Sequence, residues 1–191
     1  MRAQGDGDEH LSVHVRPASW DDVQVCLTIE MAYITSEVWQ LRIGPDAGPS
    51  GVTVDFRPVR LTRRLEVPYP RTVDELQTLW QQGVNDLLVA EWEDRVVGFV
   101  DLAVPPAQDT VWLHNLVVDR PLRRRGVGST LLGAAAAWAR ERGIRRLLLE
   151  APTKNSPAIH FCFTHGAEFC GFRDRYYANH DIAVFFEYRI M

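Results

Sequence analysis

The sequence predicts an α/β fold, a mixed central sheet flanked by helices, and three observations carry that prediction. Runs that alternate apolar and polar every two residues take turns with runs whose apolar residues recur every three to four. Two apolar segments, "NDLLVAEW" and "RVVGFVDLA", meet at Glu93-Asp94 as the arms of a β-hairpin do, which makes that part of the sheet antiparallel. The nearly all-apolar "RRLLLEA" follows a helical stretch and reads as a strand buried on both faces, the habit of a parallel sheet.

Each element follows from local chemistry. Met1–His10 is polar, acidic and Gly-bearing and is expected as a disordered tail, with 11–191 as a single domain. "SVHVRP" alternates up to Pro17, and "SWDDVQVCLTIEMAY" reads as a helix that Ser19 or Asp21 would cap. "GPDAGPSG" is a turn-rich loop, and "VTVDFRPVRLTRRL" after it is an extended arm. Thr72 stands three residues before Glu75, a capping-box spacing, so "RTVDELQTLWQQG" is a helix closed by Gly83. The hairpin comes next, then the strand "TVWLHNLVVD". A helix from about Ser129 to Arg142 presents Leu131, Ala134, Ala135 and Trp138 on one face and stops at Gly143. "RRLLLEA" follows it, then a short helix in "SPAIHFCFTHG" with Pro157 in its first turn, and two terminal strands separated by a long loop.

Composition narrows the function. The net charge of -4 over 191 residues lacks the strongly basic footprint of a nucleic-acid or anionic-membrane surface; a small cationic partner suits it better. No apolar run approaches the ~18 residues of a spanning helix, and the first ten residues lack the apolar core of a secretory signal, so the expected compartment is the cytoplasm. Cys26, Cys162 and Cys170 are odd in number and lack paired metal spacing, so free thiols and no metal are expected. Trp20, Trp39, Trp80, Trp92 and Trp138 read as core or half-buried aromatics, and "RLTRR" as exposed arginines on the arm.

The stretch "RRRGVGS" is the candidate binding loop. It lies where a strand ending in "VVD" turns into a helix, and the unsatisfied N–H groups of that helix start point outward with the positive end of its dipole. Gly126 and Gly128 let backbone approach an anion without a Cβ in the way, while Arg123, Arg124 and Arg125 add charge; the anion that fits is a pyrophosphate. A P-loop would need a Lys that is missing, and a dinucleotide fingerprint a third glycine.

The spacing Arg123-x-x-Gly126-x-Gly128, after "NLVVDRPL" and before an apolar helix, resembles the acetyl-CoA pyrophosphate loop of the GNAT N-acetyltransferases. "NSPAIHFCFTHGAEF" is similar to that family's second cofactor segment, with Asn155 and Ala158 in the matching places. The last 80 or so residues, through "DRYYANHDIAVFFEYRI", most resemble bacterial streptothricin acetyltransferases, which are antibiotic-resistance enzymes. The resemblance implies a GNAT fold with splayed parallel strands and transfer of acetyl from acetyl-CoA to a primary amine by direct attack. It also implies cofactor contacts from Leu116, Val117 and Val118, from Arg123, Arg124, Arg125, Gly126, Val127, Gly128 and Ser129, and from Asn155 on the pantetheine.

Two residues are candidates for the general base. His114 lies on the strand before the loop, where streptothricin-type enzymes carry a carboxylate, and its unperturbed pKa of about 6.5 leaves it mostly neutral at working pH. The alternative for it is a satisfied strand histidine on one face with Trp112, Leu116 and Val118. Glu150 ends "LLLE" and would take the proton directly, through water, or attract a cationic acceptor. For the general acid the family often has a Tyr where this chain has Cys162, so Tyr176 and Tyr177 are the phenols on offer. Asp101, Asp174 and Asp181 are candidates for an acceptor pocket. Three functions stay open: acetylation of a small cationic amine such as streptothricin, acetylation of a protein N-terminus or lysine, and acetyl-CoA binding without turnover. A homodimer through the terminal strands is the expected assembly, if any.

Overall fold

A computed structural model describes residues 11–44, 53–71, 77–78, 80–105 and 109–191. In chain order the elements are β1 (His14–Pro17), α1 (Trp20–Cys26), β2 (Tyr33–Gly44), β3 (Thr53–Val67), β4 (Asn85–Trp92), β5 (Arg95–Ala103), β6 (Val111–Val118), α2 (Val127–Glu141), β7 (Arg146–Pro152), α3 (Ser156–Thr164), β8 (Glu168–Arg173) and β9 (Ala183–Arg189). A single 3-10 turn, Arg120–Leu122, follows β6. The fold class is the mixed α/β one that the sequence predicts. The expected tail, the turn-rich loop Gly44–Gly51 beyond its first residue and the Thr72/Glu75 cap lie outside the described residues; Gly44 itself ends β2, and 77–78 and 80–81 are helical.

The chain divides into two compact units, the first made of Met1–Met31, Val73–Leu147 and Arg189–Met191. Its strands run in the order β1-β4-β5-β6, each pair antiparallel. The β4–β5 hairpin turns at Glu93 and Asp94, both at positive φ (50° and 59°), as a two-residue turn matched to strand twist requires. α1 is capped by Ser19, whose hydroxyl accepts from Asp22 N–H while the Asp22 carboxylate accepts from Ser19 N–H at 2.7 Å, a closed capping box. Arg16 donates to the same carboxylate at 2.6 Å.

Two helix boundaries differ from expectation. α1 ends at Cys26 instead of running on to Tyr33: Thr28 folds back, its hydroxyl donating to the Val25 carbonyl, and the residues from Tyr33 enter a strand. α2 starts at Val127, two residues early, because Gly126 adopts the left-handed conformation (φ 86°) that ends the loop. Val127, Leu131, Leu132, Ala135, Ala136 and Ala139 are buried, and α2 packs over β4, β5 and β6. Ala134 and Trp138 lie at its border, with the Arg142 guanidinium 3.8 Å from the Trp138 ring centroid. Full burial of one such Leu is worth ~2 kcal/mol.

The second unit comprises Ala32–Thr72 and Leu148–Tyr188. β2 and β3 form a two-stranded antiparallel ribbon, which confirms the extended arm and supplies it with a partner. Its register breaks once. Thr35 faces Leu65 and Glu37 faces Arg60, so Leu61–Arg64 bulges out opposite the single residue Ser36. One ribbon face is aromatic: Trp39 packs on Phe56 (4.6 Å between centroids) and on Phe163 of α3 (5.5 Å), and Phe56 stacks on Phe169 of β8 (5.1 Å). The remaining strands fall in the order β7-β9-β8. β7 does not bury both faces equally: Leu147, Leu149 and Ala151 are buried, while Leu148 on the other face is half-buried.

Candidate active site

The first unit builds the anion cradle from its backbone. β6 ends at Val118, the 3-10 turn carries Pro121, Arg124 takes φ 67° and Gly126 φ 86°, and α2 begins. Thr130 N–H closes the first helical bond onto Gly126 C=O at 3.0 Å, so Val127 and Gly128 lie in the first turn, where N–H groups have no acceptor earlier in their own helix. Gly126 and Gly128 keep the approach bare, and the helix dipole adds partial positive charge there. The three arginines go three ways. Arg124 is exposed and Arg125 half-buried, whereas Arg123 turns inward and donates to the Val118 carbonyl at 2.9 Å and the Glu30 carbonyl at 2.6 Å. Burial pulls the Arg123 pKa down from its ordinary value. Ser129 is exposed on the second residue after Val127.

Along β6 the register places Asn115 opposite Asp101 and Leu113 opposite Leu102, so His114 is the extra residue of a β-bulge. Bulges re-aim a side chain, and His114 lies half-buried on the face of Trp112, Leu116 and Val118, its ring 5.8 Å from that of Trp112. The buried neighbour of the bulge is a polar cluster: Asp101, 1 % exposed, accepts from Asn85 Nδ2 at 2.7 Å and from Asn115 Nδ2 at 2.8 Å. Asp101 therefore belongs to the sheet interior. Past the bulge, Asp119 N–H donates to Val97 C=O at 2.9 Å. Antiparallel alternation then turns Val117 toward β5 and directs the backbone groups of Leu116 and Val118 to the opposite side. Gly98 permits the close approach, since a Cβ there would sit 2.7 Å from the Val117 carbonyl oxygen.

The second unit gathers a different set. Glu150, its side chain 3 % exposed, pairs with Arg71 and accepts from Tyr176 Oη at 2.7 Å and Tyr177 Oη at 3.3 Å. Both carboxylate oxygens are thus occupied. Burial, then the Glu150 charge, raises the Tyr177 phenol above its usual range, and burial with the Glu150 hydrogen bond does the same to Tyr176. A phenol so placed keeps its proton and serves as a hydrogen-bond donor more readily than as an acid toward a thiolate of pKa about 8.5. The tyrosines are held by their own loop, whose Asp181 carbonyl accepts from Tyr176 N–H at 3.0 Å. The Asp181 side chain pairs with Lys154 and Asn179, and Asp174 is exposed.

Asn155 caps α3, its Oδ1 accepting from Ala158 N–H at 3.2 Å, which leaves its amide nitrogen as the group able to donate to a ligand. Cys162 is 3 % exposed, and burial pushes its thiol up to about 12. It is a core residue, unsuited to giving a proton at neutral pH. Sequence reasoning missed Arg71, Asn85 and Asn115, and also Glu37, whose carboxylate accepts from buried Ser156 and meets His160 Nε2 at the start of α3. No local signal marks these partners, which lie 79 (Arg71–Glu150) and 123 (Glu37–His160) residues apart in the chain. Among the described residues no group of three or more His, Cys, Asp or Glu is arranged to hold a metal, and no helix is long and apolar enough to cross a membrane.

A mixed α/β fold whose strand-to-helix turn presents bare backbone N–H groups at a helix start is a plan suited to a phosphate-bearing cofactor. A model of the acetyltransferase (GNAT) family matches residues 57–166, and the chain belongs to that family. Over 76 residues it is 34 % identical to a streptothricin acetyltransferase of Streptomyces lavendulae, a match that spans 40 % of each chain. Among solved structures it is similar to a nourseothricin acetyltransferase, with a TM-score of 0.78 at 23 % identity over 95 % of this chain and 100 % of that one. A Bacillus anthracis protein described as a streptothricin acetyltransferase, in complex with acetyl coenzyme A, gives a TM-score of 0.73 at 19 % identity over 93 % and 99 %. At those identities the likeness shows the fold.

Proposed function

We propose that this chain is an acetyl-CoA-dependent N-acetyltransferase that acetylates a primary amine of a small cationic acceptor, streptothricin-like in its chemistry, by direct attack. The observation that carries the reading is the cradle of Gly126, Val127 and Gly128 at the start of α2, within a chain of the GNAT family. The acceptor class rests on the 76-residue likeness to the Streptomyces lavendulae enzyme. Acetyl-CoA, when bound, supplies an acetyl thioester. The N–H groups of Val127 and Gly128, with Arg124 and Arg125, would hold its pyrophosphate, and the outward backbone groups of Leu116 and Val118 would polarise the carbonyl. Attack forms the C–N bond and breaks the C–S bond. His114 takes the proton that the amine loses, directly or through a water, and the departing sulfur takes one from solvent. Asn155 is proposed for the pantetheine, and Glu150 with Tyr177 for orienting the acceptor through fixed hydrogen bonds. The proposed compartment is the cytoplasm, and a homodimer the proposed assembly.

A CoA-release assay tests this, with acetyl-CoA against streptothricin, aminoglycosides, polyamines and lysine-bearing peptides, and Arg125→Glu/Gly128→Trp as the cofactor-dead control. Release with a small cationic amine, lost in the control, is the expected result. Release with peptides alone would replace the acceptor class. CoA binding with no release for any amine would overturn the catalytic reading.

A further inference from the structure

Arg123 stands first in the arginine triplet, yet its side chain does not join the other two. The guanidinium spans two backbone carbonyls that are far apart in sequence: Val118 O, the last of β6, at 2.9 Å from Nε, and Glu30 O, beyond α1, at 2.6 Å from Nη2. The Glu30 end is fixed a second time, since Arg120 Nη1 donates to Glu30 Oε1 at 2.7 Å. Arg124 then reverses the chain through φ 67°, and the Arg125 carbonyl accepts Leu11 N–H at 3.0 Å. The loop between β6 and α2 is therefore braced from inside. An arginine meant for phosphate offers the two-pronged edge of its fork to the ligand, whereas this one directs Nε and Nη2 at neutral protein carbonyls.

We infer that Arg123 is a positioning residue for acetyl transfer: by fixing the Val118 carbonyl against the backbone after α1, it sets the outward Val118 N–H relative to the first turn of α2. The inference rests on the acetyl-CoA reading above. Arg124 and Arg125 supply the charge that phosphate sees, and Arg123 supplies the geometry that the thioester carbonyl sees. The two roles separate in experiment, because a phosphate contact contributes salt-dependent affinity while the alignment of a reacting carbonyl contributes rate.

The test compares wild type, Arg123→Gln, Arg123→Lys and Arg125→Gln, each checked for folding by its thermal transition. It measures CoA affinity at low and high salt, the carbonyl resonance of bound acetyl-CoA labelled with carbon-13 at that carbon, and kcat with whichever amine the wild type accepts. Arg123→Gln is expected to bind CoA within about threefold of wild type, with an undiminished salt dependence. Its bound carbonyl resonance should move toward that of free acetyl-CoA, and its kcat should fall about tenfold or more. Arg123→Lys, with one compact ammonium that cannot span both carbonyls, should fall in between. Arg125→Gln should lose affinity and flatten the salt dependence while the carbonyl resonance stays put.

Flattened salt dependence in Arg123→Gln would make Arg123 a phosphate ligand and overturn the inference. An unchanged carbonyl resonance and kcat in a folded Arg123→Gln would overturn it as well, leaving the brace with no catalytic part. Failure of the wild type to bind CoA would be a different result, since it removes the acetyl-CoA reading itself.

Discussion

Glu150 ends an apolar strand, and a carboxylate in that place invites the role of a base. Its surroundings turn it to another use: Arg71 neutralises it and two phenols donate to it, so it organises the Tyr176–Tyr177 wall. Removing one partner of such a buried pair leaves an uncompensated charge, so Arg71→Ala should lower stability by about 3 kcal/mol in urea unfolding; a loss within error would mean that water already screens Glu150. Glycines tell a similar story of backbone necessity. Gly98→Ala would push a methyl to 2.7 Å from Val117 O, a neighbour fixed in the ladder, and should cost about 1–3 kcal/mol in the same assay. The sequence predicts Gly126 as an anion-loop glycine but not its φ of 86°; Gly126→Ala should cost about 1–2 kcal/mol of stability and weaken CoA binding, read by calorimetry.

At the scale of elements, hydrophobic period and turn chemistry carried most of the reading. The hairpin at Glu93-Asp94, the Ser19 cap, Pro157 in the first turn of α3 and the terminal strand pair all follow from residues close in sequence. β2 escaped because "YITSEVWQLRIG" alternates only toward its end, where Leu41 and Ile43 flank Arg42; what ends α1 short of it is one back-bonded threonine, Thr28. The arm could be seen as extended, but its partner strand and its four-residue bulge could not. Acid stability belongs to this scale too. Glu37 ties the ribbon to α3, and hydrogen bonds from Ser156 and then His160 hold its pKa below the ordinary carboxylate value. A depressed folded pKa means stability that is fully present above about 4.3 and is lost as pH falls through the lower folded value. Glu37→Gln should therefore lower stability near neutrality, where the carboxylate's contribution is fully present, and flatten the fall of the stability–pH curve in that acidic window; an unaltered acid limb would remove Glu37 from the account.

For the whole molecule, family and cofactor could be read from one loop because the requirement there is local: bare backbone, a helix start and nearby charge within a few residues. The acceptor side could not. The groups proposed for it, Arg71, Glu150 and the two tyrosines, come from separate stretches of the second unit, and nothing in one stretch announces the others. Net charge is the exception among global properties, since it can be counted directly. At -4, the molecule should draw a cationic acceptor electrostatically, so the acceptor KM should rise with ionic strength while that of an uncharged amine analogue stays flat; equal slopes would assign the attraction to short-range contacts.

The β2–β3 ribbon has a last consequence, for solubility. Among the described residues β3 pairs only with β2, so a strand of 15 residues offers its other edge to any chain that would extend it. Val54 of β3, exposed and paired with the equally exposed Ile43 of β2, would make that end of the ribbon adhesive. Pro58 cannot donate to an added strand, and Arg57, Arg60, Arg63 and Arg64 are exposed along its length, two of them in the bulge. These residues act as gatekeepers against edge-to-edge polymerisation, so their charge would be kept even where no ligand ever touches them.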